Sequence, residues 1–210
     1  MAIAASVRPS VVENTANAAR HPAIVRLTHW INTLSFFTLL VSGFAILLAH
    51  PRFYWGEAGG LGAPSLFDLP LPFMKGGPSG WGRNLHFLAA WVCVLNGVLY
   101  VSSGVVTRHF RNNLVAAQGG YHLPQRLAYL LVIFGLLPLM LWTGFAMSPA
   151  IVSSYPWLVT VWGGQESART IHFLAAGSLV LFVLVHIAMV YRAGLWSGLR
   201  SMIAGREDQV

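Results

Sequence analysis

Four histidines set in apolar stretches are the residues of this chain best suited to do chemistry. His172 and His186 stand near the two ends of one uncharged run, fourteen residues apart. At about 3.6 residues per turn this is just under four turns, so both imidazoles project from nearly one helix face, roughly 21 Å apart along the axis. His29 opens an earlier apolar run and His86 a second. An ionisable group inside a long apolar helix is costly, and marks a functional site by default. The bland reading of one such histidine is a hydrogen bond to a neighbouring helix. Four of them, at two matched depths, point instead to two ligand sites.

The elements that must position them follow from composition. The chain has 210 residues, 56% of them hydrophobic and only 9% charged. A soluble domain carries about 25% charge. This composition therefore predicts an integral membrane protein. The formal charge of +7 sits in short loops between apolar runs, which excludes nucleic-acid binding and fits loop arginines at a membrane. Residues 1–20 have no apolar core of a signal peptide, and read as a polar tail ahead of one domain over 21–205. The lone Cys93 lies in an apolar run as a small filler, and no CxxCH motif for covalent haem exists.

Four stretches are long enough to span, by the rule of roughly 20 apolar residues: Leu27 to Ala49, Asn84 to Thr107, Leu127 to Ser148 and Thr170 to Tyr191. They predict an all-α four-helix bundle in the membrane. Pro138 predicts a kink in the third span. Pro149 to Ser167, with Trp157 and Trp162, is too broken to span and is expected at the interface. Loop Lys and Arg divide nine (Arg8, Arg20, Arg26, Arg108, Arg111, Arg126, Arg192, Arg200, Arg206) against four (Arg52, Lys75, Arg83, Arg169). That count predicts both termini in the cytoplasm and a long, irregular outer loop from His50 to Arg83.

On this layout His29 pairs with His186 near one surface, and His86 with His172 near the other. Each pair joins two helices, as a bundle does when it holds a metal cofactor. No span carries a carboxylate or a cysteine pair. This disfavours a di-iron site, an iron–sulfur cluster and a carboxylate proton relay. Two opposed neutral imidazoles suit the axial positions of a haem iron. Gly43, fourteen residues after His29, and Gly97, eleven after His86, share those helix faces. Each is explained as well by room for a porphyrin as by close helix packing. Arg26, Arg83 and Arg169 could pair with propionates or anchor the helices at the interface. His21, His50, His109 and His122 lie in loops or margins and read as solvated.

The motifs resemble a known family. Arg26-Leu-Thr-His29-Trp30-Ile-Asn32 with Ser42-Gly43 is similar to the first helix of bacterial di-haem b-type cytochromes. That family includes the cytochrome b subunits of nickel–iron hydrogenases, the gamma subunit of formate dehydrogenase and bacterial cytochrome b561. Asn84-Leu-His86-Phe, Asn96-Gly97, Gly104, Arg108-His-Phe-Arg111, Leu137-Pro138, Thr143-Gly144, Ser148-Pro149 and Ser167-Ala-Arg169-Thr-Ile-His172-Phe look most like its thiosulfate-reductase-type branch. The likeness runs over roughly residues 20 to 205. It implies two non-covalent haem b groups: a cytoplasmic one on His29 and His186, and a periplasmic one on His86 and His172. It also implies a bacterial inner-membrane subunit that links the quinone pool to a periplasmic oxidoreductase, often molybdopterin-dependent.

The expected function is therefore electron transfer within a complex, without catalysis by the chain alone. By analogy with formate dehydrogenase, quinone is expected at the cytoplasmic haem, near His186 and the Arg108–Arg126 loop. Asn112 and Asn113 there are either quinone contacts or solvated loop residues. The alternatives are a stand-alone quinol oxidase of the cytochrome b561 type and, from another class, a small transporter or sensor. The last finds little support in spans without a carboxylate or a lysine.

Overall fold

A computed structural model describes residues 23–57, 59, 63–72, 79–107, 127–128 and 130–205. The tail over 1–20, Lys75, the loop with Asn112 and Asn113, and His21, His109 and His122 lie outside the described residues.

The described chain forms six α-helices and one two-strand ladder. Helix α1 is Ala23–Ala49 and α2 is Ser79–Val106. Between them strands β1 (Arg52–Phe53) and β2 (Phe67–Asp68) pair antiparallel, so the outer loop is pinned at one point. A π-helical turn, Val132–Leu136, leads into α3, Leu137–Ala146. Two short helices follow, α4 (Pro149–Val152) and α5 (Trp157–Val161), in the segment expected not to span. Helix α6 is Gln165–Ala204.

Three of these helices, α1, α2 and α6, are long and apolar enough to cross a membrane. The third expected span is not their equal. Among the described residues it is a shorter apolar helix, Val132–Ala146, made of a five-residue π-helical turn and ten α-helical residues. The cause is local sequence. Pro138 has no N–H and crowds the carbonyl four residues before it, so the preceding turn widens, and the Leu137 N–H reaches Val132 O instead. Ser148, held extended (φ −86°, ψ 113°) ahead of Pro149, then ends the helix. Six of the nine arginines behind the cytoplasmic assignment lie outside the described residues. The expected four-helix bundle with both termini cytoplasmic is thus corrected to an all-α membrane fold of six helices with three long spans.

Packing is inverted relative to a soluble protein. The buried face of α1 is Thr28, Ser35, Ser42 and Ala49, every seventh residue, with Ala45. Large apolar residues such as Leu34 (72% exposed) and Leu95 (66%) face outward. Lipid solvates such a surface as well as a core would, so helices associate through small residues that let backbones approach. The antiparallel register of α1 and α2 is fixed by contacts along this seam. A Cβ on Gly82 would stand 3.0 Å from Ala45 Cβ and 3.3 Å from Ser42 O. At the other end, Asn96 Nδ2 donates to Thr28 O (2.9 Å) and to Asn32 Oδ1 (2.8 Å). Helices α3 and α6 form a second antiparallel pair over buried Ala146 and Ala168.

Candidate haem-ligand site

Ser42 is fully buried and its hydroxyl proton is committed to Thr38 O, at 2.7 Å. A hydroxyl has one proton but can accept as well. Its contact with His86 Nδ1 (3.0 Å) is therefore assigned as Nδ1–H donating to Oγ. The α3/α6 pair repeats the device. Thr143, also fully buried, donates to Leu139 O (2.7 Å) and accepts from His172 Nδ1 (2.9 Å). Both imidazoles are thus held as Nδ1–H tautomers with Nε2 left as a lone-pair donor. Metal-binding histidines are oriented in this way by the partner of their other nitrogen. The residue after each hydroxyl is glycine. A Cβ on Gly43 would lie 3.5 Å from His86 Cε1, and one on Gly144 3.7 Å from His172 Cε1. Each ring therefore rests against bare helix.

These two hydroxyl–histidine units face one another across the two helix pairs. The His86 and His172 ring centroids are 6.3 Å apart, with planes at 60°. The spacing tests whether a haem iron fits. An imidazole nitrogen sits about 2.0–2.1 Å from a metal and the ring centre about 1.1 Å farther back, so two collinear ligands put their centroids about 6.3 Å apart. At this spacing His86 and His172 are the residues that would hold one haem iron between them. Among the described residues no three or more of His, Cys, Asp and Glu gather as an all-protein metal cage would require. The chemistry offered is two neutral nitrogen donors in a dry site.

The second expected pair is placed by its helices. His29 lies fourteen residues before Gly43, which touches His86, and His186 lies fourteen after His172. Both therefore sit roughly 21 Å from the first pair, toward the same end. Both are half-buried. His29 meets Trp30 edge-on at 5.4 Å, and His186 stacks on Phe182 at 6.0 Å. Gly97 follows Asn96 at the His29 level, and a Cβ there would meet nothing within 4 Å.

The three arginines separate. Arg26 Nη1 donates to Ile203 O (3.1 Å), at the end of α6. Arg169 pairs with Glu166 (2.9 Å), donates to His50 O and lies 4.9 Å over the Phe53 ring. Arg83 is exposed one turn before His86. The outer loop is sewn to the start of α6 beside them. Phe53, 1% exposed, packs on Phe173 at 4.4 Å. Thr170 Oγ1 donates to Tyr54 O (2.8 Å), and Gly56 N–H donates to Ser167 Oγ (2.7 Å). The loop thus closes the end of the molecule one turn beyond His172. His50, just past α1, is held below its ordinary pKa of 6.5 first by burial and then by Arg169, with Glu166 opposing and Arg83 adding.

This geometry agrees with the comparisons. The family model described as prokaryotic cytochrome b561 matches residues 20–205. The chain belongs to this family. It is 30% identical over 193 residues (82% of this chain, 90% of the relative) to a protein of Azospira oryzae named as a protein-methionine-sulfoxide reductase subunit, YedZ1. It is 25% identical over 229 residues (90% and 82%) to a protein of Cupriavidus necator named as a Ni/Fe-hydrogenase B-type cytochrome subunit. A Rhizobium leguminosarum bv. viciae protein of the same description is 26% identical over 227 residues (88% and 86%). No solved structure matches significantly. The chain is a multi-pass membrane protein of the cytochrome b electron-transfer type, consistent with the bacterial inner membrane.

Sequence reasoning named Ser42, Thr143 and Gly144 only within motifs and gave them no role beside His86 and His172. A signal was present. Ser42-Gly43 and Thr143-Gly144 repeat a hydroxyl followed by glycine in the two helices that pack against histidine-bearing ones.

Proposed function

We propose that this cytochrome b561-family chain is a di-haem electron conduit between the quinone pool and a partner redox enzyme. His86 and His172 hold one haem b, and His29 and His186 hold the other. The observation that carries the reading is the His86–His172 pair, 6.3 Å apart, with both Nδ1 atoms bonded to buried hydroxyls. When bound, haem b supplies reversible one-electron chemistry at its iron. The chain supplies the rest. Ser42 and Thr143 fix the ligand tautomers, and Gly43, Gly97 and Gly144 leave flat helix surface. The small-residue seams exclude water. Arg83 and the remaining donors of Arg169 and Arg26 would meet propionates at the two ends.

Quinone is the exchangeable substrate, and it enters from lipid. The partner docks on the end closed by the outer loop. The relatives' names supply two partner classes, a Ni/Fe hydrogenase and a protein-methionine-sulfoxide reductase. The motif likeness to the thiosulfate-reductase-type branch favours a molybdopterin-dependent oxidoreductase over a hydrogenase. The test is direct. The chain is produced with haem supplied, purified and mixed with a quinol. The expected result is reduction of b-type haem, followed by reoxidation only when the partner is added. A preparation without b-type absorption bands overturns the proposal. So does rapid quinol oxidation by the chain alone, which would identify a stand-alone quinol oxidase.

A further inference from the structure

Helix α6 does not end where its span ends. At Gly194 the backbone leaves the helix (φ 108°, ψ 85°), a conformation that essentially only glycine adopts, and the chain turns back. A Cβ on Gly198 would lie 3.6 Å from Val190 Cγ1, which shows how sharply the last turns fold over. The returning segment, 195–204, finishes against the first turns of α1. A helix leaves its last carbonyls without helical donors. Here the Gly205 N–H takes Ser201 O (3.1 Å), Trp30 Nε1 donates to Met202 O (3.1 Å) and Arg26 Nη1 donates to Ile203 O (3.1 Å). Gly205 is left-handed (φ 72°), and a Cβ there would stand 2.5 Å from Arg26 Nη1, so the cap and the arginine fit only around a glycine.

Trp30 is the residue after His29, and its ring meets the His29 imidazole edge-on. One indole therefore has two fixed neighbours: a carbonyl at the end of α6 and a proposed iron ligand on α1. We propose that segment 195–204, acting through Trp30, is a positioning device for the His29 imidazole. This rests on the reading of His29 as a haem ligand. The Met202 carbonyl fixes the indole by its N–H, and the indole, set at right angles to the imidazole, fixes the plane of that ring. Ligand-plane orientation governs the electronic signature of a low-spin haem, so the device tunes one haem and leaves the other alone. Trp30 touches the ligand and not the reacting partners. Its role is positional.

The test is made on the full-length, haem-loaded protein in detergent. In wild type the haem count is taken first; a chain lacking the haem on His29 and His186 sinks both the di-haem reading and this inference. Trp30→Phe keeps an aromatic ring, though a smaller one, and deletes the N–H. It is expected to bind both haems, to shift the EPR g-values and midpoint potential of one, and to leave the other unchanged. Amide exchange in 195–204 is expected to rise about fivefold, the worth of one ordinary hydrogen bond. Gly194→Ala, which strains the turn from the far side, should move the same haem. The double variant should move it no further than the stronger single. Two bound haems with unaltered spectra in both single variants overturn the inference, as does unchanged exchange in 195–204.

Discussion

At the residue scale, the site depends on where two protons sit. Mid-helix serines and threonines usually bond back to the carbonyl four residues before, and Ser42 and Thr143 do so. That bond uses up their proton and turns the oxygen into an acceptor for imidazole. Ser42→Ala and Thr143→Ala should each leave the fold intact and weaken the His86/His172 haem about 10–100-fold, the usual effect of losing a ligand's orienting partner. Haem titration of the apoprotein measures this, with the other haem as internal control. His172→Ala should abolish that haem and spare the one on His29 and His186; unchanged binding of both would refute the pairing. His50 gives a pH expectation. Its folded pKa lies below 6.5, so the unfolded chain holds more protons just under that pH. Its contribution to stability is whole above about pH 6.5 and is lost as pH falls toward the folded value. The residue as a whole stays partly exposed, so the effect is small. Thermal melts should show the fall, and His50→Gln should flatten it. The nearness of His86 and His172 was legible in the sequence because their depths in two apolar helices match. The hydroxyls were not, because a back-bonded serine in a span looks the same whether or not an imidazole faces it.

At the scale of elements, the small seam of α1 sets the level of His86. Gly82 packs against Ala45 and Ser42 O at distances a side chain cannot share. Gly82→Val should push α2 away from α1 and cost about 1–3 kcal/mol, the range for overpacking a tight contact. A lowered melting temperature together with loss of the His86/His172 haem would show it; a melting temperature at the wild-type value would count against the seam. The spans of α1, α2 and α6 were readable from apolar length alone. The third was read as their equal with a kink at Pro138; the π-helical turn ahead of Pro138 was not legible, because apolar length does not show how a helix widens around a missing N–H. The return of α6 was hidden for a related reason. Gly194 lies past the expected end of the span at Tyr191, and only its positive φ reveals a turn.

For the whole molecule, an apolar exterior and a polar, small-residue interior place the chain in lipid. Within it, two helix pairs bring the His86 and His172 imidazoles to 6.3 Å of each other. The outer loop closes the end near His172, and the α6 return packs against the start of α1 near His29. The chain is therefore a frame for redox groups, and its function turns on how many it holds and with which ligands. The decisive measurement is haem b per purified chain, by extraction, together with low-temperature EPR of the oxidised protein. Two haems per chain, with two low-spin signals of bis-imidazole type, are the expected result. One haem or none, or a high-spin iron with an open coordination position, would contradict the account.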